Sequence, residues 1–299
     1  MSVGSTATAA TNDIRTTRHR SERCAWESVS RDPDAQLRAY VHGAYQGWTE
    51  TAADGLRRRE VPVTRIPLIL NLGPDFVVSP LDAAGRTGAE RRVGSFVAGL
   101  GDACTLVGAT GPSRCIQVDL TLAGARRVLG VPMDELANRV VEVEDVLGPA
   151  GRRLVQRLGD AAGWADRFRL LDAFIARRVE RAPPLPTVAA RAWRRLEAGA
   201  GRVDVAALAA DAGCSRKHLA QQFREHLGLP PKTLARILRF NRAVDLLRSG
   251  GAARWTEIAL ACGYYDQAHL NRDFRQFAGT TPGAFIAHLL PDGGGVAAD

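Results

Sequence analysis

The chain has little of what marks a secreted, membrane-bound or metal-dependent protein. It holds only five cysteines, Cys24, Cys104, Cys115, Cys214 and Cys262, in 299 residues. None form a C-x-x-C pair and the number is odd, so neither a disulfide framework nor a zinc-ligand spacing is present. The six histidines are dispersed, and His42 has no His/Glu cluster around it. No apolar run approaches the ~18 residues of a membrane span. Residues 1–25 are rich in Ser, Thr, Ala and Arg and lack an apolar core. They read as a disordered tail, not a secretory signal. These absences point to a cytoplasmic protein without metal, cofactor or membrane partner.

What the chain does have is a repeat. Leu208, Ala209, Gly213, Cys214, His218, Leu219, Phe223, Arg224, Gly228 and Pro231 return as Ile258, Ala259, Gly263, Tyr264, His269, Leu270, Phe274, Arg275, Gly279 and Pro282. The offset is 50 through the turn glycine and the residue after it and 51 from His218 and His269 onward, so one residue has been gained in the turn. Each copy reads as a short apolar helix, a glycine turn and a second helix with buried positions four apart. This is the pattern of a helix-turn-helix.

Charge is concentrated on the same region. Between Thr187 and Leu290 there are 15 Lys and Arg against 8 Asp and Glu, which supplies +7 of the chain's net +8. Counterion release from DNA phosphates rewards that placement.

Residues from about Ala25 to Leu120 read as short strands. Val61–Leu72, Phe76–Val78, Ser95–Leu100 and Cys104–Val107 are each bounded by Gly, Pro or Asp. Cys115–Leu120 alternates with period two, placing Ile116, Val118 and Leu120 on one face. Pro62 and Pro67 favour edges or strand starts. A sandwich or small barrel is expected. From Leu122 the period becomes helical, with helices expected at Leu122–Leu129, Asp134–Val141, Pro149–Leu158 and Trp164–Val179. The last of these presents Phe168, Leu171, Phe174 or Ile175, and Arg178 at helical spacing. Either its own domain or a homodimer partner would cover that face. Three prolines within Ala182–Pro186 cannot continue a helix and mark the expected boundary. The resulting expectation is an α+β chain. Residues 1–25 and 291–299 would be tails, 26–181 a sensor or dimerisation domain, 182–186 a linker and 187–290 an all-α domain.

In the first repeat Asp204 is placed to cap one helix and Ser215 to start the next. Leu219, Phe223 and Leu227 share a face that must be buried. At ~100° per residue the opposite face carries Lys217, Gln221 and Arg224, with Ala220 beside them. In the second repeat Thr256 is the expected cap. Leu270, Phe274 and Phe277 form the buried stripe, and Ala268, Arg272 and Arg275 face outward beside Gln267 and Asn271. Lys, Gln, Asn and Arg of this kind reach base edges or phosphates. Between the repeats Lys232–Arg248 reads as an apolar helix with Arg236, Arg239 and Arg242 near its polar side. A rigid helix there would fix the separation of two reading heads. A spacing of ~34 Å would set both heads in successive major grooves.

At this point Leu208–Phe285 resembles the DNA-binding domain of the AraC/XylS transcriptional regulators. Its second half matches the family's signature through Ile258, Ala259, Gly263, Tyr264, His269, Leu270, Phe274, Arg275, Gly279, Thr280, Thr281, Pro282 and Phe285. The resemblance implies two helix-turn-helix units joined by a helix. It also implies double-stranded promoter DNA and RNA polymerase as partners. The family's base-reading positions fall on Lys217, Ala220 and Gln221, then on Gln267, Ala268, Asn271 and Arg272. Ala220 and Ala268 depart from hydrogen-bonding residues and offer only apolar contact with thymine methyls. Ile286 replaces a frequent basic residue. Strands, then helices, then a proline linker are similar to the family's cupin-like sensor domains, as is Leu129–Gly148. A non-enzymatic regulator controlled by a small-molecule effector or by oligomerisation through its N-terminal domain is the expectation. The alternatives are a non-sensing regulator whose N-terminal domain binds a protein partner, and a regulator–enzyme hybrid using an activated cysteine such as Cys24.

Overall fold

The computed structural model describes residues 14–20, 24–52, 57–249, 254–289 and 296–298. Its first part folds into two antiparallel sheets. The larger has the order β1 (Arg15–Arg20), β2 (Cys24–Arg31), β3 (Tyr45–Ala52), β10 (Ser113–Leu120), β5 (Ile66–Asn71), β8 (Phe96–Ala98) and β11 (Val140–Glu142). The smaller has the order β4 (Arg57–Glu60), β9 (Cys104–Ala109), β6 (Phe76–Leu81) and β7 (Arg91–Val93). Phe76 and Phe96 meet edge to face across the sheets at 6.0 Å.

Period-two alternation produces the other interface of the large sheet. Ile66, Leu68 and Leu70 on β5, with Ile116, Val118 and Leu120 on β10, are almost completely buried. They face helices α1 (Leu122–Leu129) and α4 (Trp164–Arg181) in one core. Pro67 is tolerated because β8 pairs only with Leu68 and Ile69 on that side. On α4, Phe168, Leu171 and Ile175 are fully buried, whereas Phe174 is only partly so. Asp172 of α4 pairs with Arg31 of β2 and accepts a hydrogen bond from the Tyr45 hydroxyl at 2.9 Å. Arg178 Nε donates to the Val128 carbonyl at 2.6 Å. The chain's own first domain therefore covers this face, and no homodimer partner is needed to bury it.

Three expectations are corrected here. The region Asp134–Val141 is not a helix. It contains a 3-10 turn, Met133–Glu135, and then β11, which pairs with β8 through Val140 and Val141. The β-branched valines favour the sheet edge once tertiary pairing is on offer. Part of the expected N-terminal tail, Arg15–Arg20, is strand β1 against β2, while residues 1–13 lie outside the described residues. Its order comes from cross-strand charge pairs, Arg15–Asp32 at 2.7 Å and Arg18–Glu27 at 2.6 Å, and no apolar alternation announces it. Of the expected C-terminal tail, residues 291–295 and 299 lie outside the described residues. Val296 and Ala297 are buried beside β4, where Arg59 N donates to the Val296 carbonyl at 2.8 Å.

Helices α2 (Val143–Leu147) and α3 (Pro149–Asp160) precede α4. After the prolines the chain is helical throughout: α5 (Thr187–Ala198), α6 (Val205–Asp211), α7 (Arg216–Leu227), α8 (Pro231–Arg248), α9 (Trp255–Ala261), α10 (Gln267–Ala278) and α11 (Pro282–Ala287). This helical part rests directly on the sheets. Asn241 Nδ2 donates to the Pro62 carbonyl at 2.7 Å, and Arg59 to the Ala278 carbonyl at 3.3 Å. Arg126 reaches the Glu225 carbonyl at 3.4 Å. No helix among the described residues is long and apolar enough to cross a membrane.

Candidate nucleic-acid interface

The two repeats fold into two heads with the same backbone hydrogen bonds. In the first, Gly213 N donates to the Ala210 carbonyl and Cys214 N to the Ala209 carbonyl. In the second, Gly263 N donates to Leu260 and Tyr264 N to Ala259. Gly213 and Gly263 adopt φ of +66° and +80°, which glycine reaches without the clash a Cβ would cause. The next helix starts at Ser215, whose side chain accepts from His218 N at 3.1 Å. Its counterpart is Asp266, which accepts from His269 N at 2.7 Å. Cys214 thus corresponds to Tyr264 and Ser215 to Asp266. The residue gained in the second turn is Tyr265, and its ring is 88% exposed.

The caps follow the chemistry of the N-terminal turn. Asp204 accepts from the amides of Ala206 and Ala207, as expected. Thr256 does not cap α9. Its N-cap is Arg254, two residues earlier, whose amide donates to the Glu257 carboxylate at 3.2 Å.

Each second helix buries one face and presents the other. On α7, Leu219, Phe223 and Leu227 are fully buried. Lys217, Gln221 and Arg224 are exposed on the opposite side, with Ala220 half-buried beside them. On α10, Leu270, Phe274 and Phe277 are fully buried, while Ala268, Arg272 and Arg275 are exposed. Gln267 and Asn271 are half-buried at the margin of that face. Every residue expected from the sequence at this surface is therefore brought to one of two outward helix faces. Arg216, in the first turn of α7, is also exposed and was visible in the sequence only through the charge count.

Helix α8 holds the heads. Phe240 packs edge to face on Phe274 at 4.9 Å and on Phe277 at 5.3 Å. Arg236 pairs with the buried Asp273 at 2.6 Å, donates to Gln276 at 2.6 Å and lies over the Phe277 ring. Arg239 donates to the Gly201 carbonyl at 3.0 Å and lies over Tyr264. Burial first, then Asp273, pushes the Tyr264 hydroxyl far above the ordinary tyrosine range, with Arg239 opposing. Two of the three arginines placed near the polar side of this helix are thus spent inside the domain.

Three of the described cysteines are made poor nucleophiles by burial. Burial raises the thiols of Cys104 and Cys115 to about 12, the opposite of activation. Burial also raises that of Cys262, which packs completely inside the second head. The Cys24 side chain lies outside the described residues. The described residues contain no group of three or more His, Cys, Asp or Glu suited to a metal.

With this geometry in place, the chain can be set beside known proteins. Residues 208–288 match the family model of a helix-turn-helix domain. The C-terminal region carries a double helix-turn-helix of the AraC type, behind a β-rich N-terminal region. A domain of this kind supports a DNA-binding transcriptional regulator. No curated protein matches it significantly. Among solved structures, it is similar to ToxT from Vibrio cholerae bound to an unsaturated fatty acid. The identity is 9%, over 90% of this chain and 97% of that one, with a TM-score of 0.46. It is also similar to an AraC-type regulator from Chromobacterium violaceum, at 28% identity over 36% of this chain and 95% of that one, TM-score 0.33. Oxalate decarboxylase from Lactobacillus farciminis matches at 13% identity over 36% of this chain and 30% of its own, TM-score 0.24.

Proposed function

We propose that one protomer recognises an asymmetric DNA site with two different heads. Lys217, Ala220 and Gln221 read one major groove. Gln267, Ala268, Asn271 and Arg272 read the next. Arg224 and Arg275, further along each helix, hold phosphates and set the register. The observation that carries this reading is the pairing of matching turn hydrogen bonds with unlike outward faces, on heads keyed to one helix. Residues 187–290 are the DNA-binding domain and 182–186 the linker. Residues 26–181 form a control domain that answers a small-molecule effector or a partner copy, and the assembled complex acts with RNA polymerase at promoters. The direct packing of the first domain on the C-terminal ends of both second helices, α1 and the Met133–Glu135 turn on α7 and strands β4 and β9 on α10, supports control of this kind, because a change in the first domain reaches both heads.

The test is a selection of bound sequences from random DNA by the full chain, followed by anisotropy titrations across salt concentrations. The reading expects an enriched site without two-fold symmetry and an affinity that falls steeply with salt. Enrichment of no sequence over random DNA would overturn it.

A further inference from the structure

One face of the first helix of the C-terminal part, anchored in the core at Trp193, opens on a cavity. Ala190, Trp193, Arg194 and Glu197 fall at helical spacing on α5 and line one wall of a cavity of about 260 Å³. The opposite wall comes from the first domain: His42, Arg65 and the start of α1 at Leu122. Leu185 of the proline segment closes one side. Two parts of the chain and the segment joining them thus share one cavity.

Its charges are arranged unusually. Arg194 and Glu197 lie three residues apart on the helix, a spacing at which opposite charges readily pair. They do not pair with each other, and Arg194 has no ion-pair or hydrogen-bond partner among the described residues. Arg65 is held by Asp119 at 2.7 Å, so its charge is already balanced. Burial lifts the Glu197 carboxyl above its ordinary range, and His42 opposes the shift. Between these separated charges the walls are apolar, formed by Trp193, Leu122 and Leu185.

We infer that this cavity binds a small zwitterion of the amino-acid type. The ligand carboxylate meets the free Arg194 guanidinium, which matches carboxylates bidentately. Its ammonium meets Glu197, and its apolar side chain lies against Trp193 and Leu122. A volume of about 260 Å³, roughly nine waters at ~30 Å³ each, holds a leucine-sized molecule with room left for bridging water. A ligand held this way bridges the two parts of the chain. Its role as an effector rests on the reading of residues 26–181 as a control domain; the site itself does not.

Thermal denaturation of the full chain tests the site, with L-valine, L-leucine, L-isoleucine and L-methionine as probes. At least one of them at about a hundred times its Kd raises Tm by about 5 °C. For L-leucine, the analogues isocaproate, which lacks the amine, and isoamylamine, which lacks the carboxylate, produce less than a fifth of the shift. R194A and E197Q each remove the response and leave the unliganded Tm nearly unchanged, because both residues are exposed and outside the core. The absence of any shift with all four amino acids refutes the site. So does a shift that survives both substitutions, or one that isocaproate reproduces in full. DNA titrations on the same samples separate the two readings. Ligand binding without a change in DNA affinity upholds the site and removes the effector role, whereas intact DNA binding without any ligand response removes the site alone.

Discussion

Removing the Asp273 carboxylate is the sharpest way to ask whether α8 positions the second head. Asp273 is 1% exposed and its partner Arg236 is 25% exposed. Deleting one member of a fully buried ion pair costs ~3–5 kcal/mol, because the other charge stays in a dry setting. Arg236 keeps the Gln276 carbonyl and some contact with water, so the expected cost for D273A is about 2–3 kcal/mol. For a chain of this size that lowers Tm by roughly 5–10 °C. The double substitution R236L/D273L removes both charges and recovers most of the loss, since an apolar pair is at home beside Phe277. Binding adds a second readout. On two DNA fragments, each with one half of the selected site scrambled, D273A loses discrimination in the α10 half and keeps it in the α7 half. A Tm within 1 °C of the parent, or equal loss in both halves, refutes the argument that this pair sets the second head.

Other outcomes follow from the same geometry. K217A and R272A each weaken specific binding by about 1–3 kcal/mol, and each relaxes base preference in a different half of the site, as read by selection from random DNA. R224A and R275A weaken all sequences alike and reduce the salt slope of log K by about 1. Stability also depends on pH through His226, where α7 meets α1 and the Met133–Glu135 turn. Burial lowers its pKa from the ordinary 6.5, helped by Arg126 and opposed by Glu225 and Asp134. The folded state therefore binds this proton less readily than the unfolded chain. The contribution is complete above about pH 6.5 and is lost as pH falls toward and through the lowered folded value. Urea denaturation between pH 7.5 and 5, as an approximate span of the His range, checks this. H226L removes that part of the slope, and an unchanged slope counts against the assignment.

The C-terminal heads were legible in the sequence because a helix-turn-helix writes itself locally. Buried residues four apart, a turn glycine and a capping Ser or Asp all lie within one short segment. The repeat even announced the extra residue that the structure identifies as Tyr265. The strand register was legible where one sheet face is buried, as in Ile116, Val118 and Leu120. It failed where order comes from distant partners. Strand β1 is polar and is held by Asp32 and Glu27, so nothing in its own residues alternates. Val140 and Val141 became a strand only because β8 was there to pair with them. Arg236 and Arg239 sat on the polar side of a helical wheel, yet their partners Asp273 and Gly201 lie 37 and 38 residues away. The cavity beneath α5 was invisible for the same reason. His42, Arg65 and Arg194 meet only after the chain has folded.

The most direct test of the central claim is a hydroxyl-radical footprint of the monomeric full-length chain on its selected site. Two unlike heads fixed on one helix predict two protected segments about one helical turn apart, on one face of the duplex. Reversing one half of the site should abolish the protection of that half alone. Protection of a single groove, or a two-fold symmetric pattern that needs two protomers, would contradict the account.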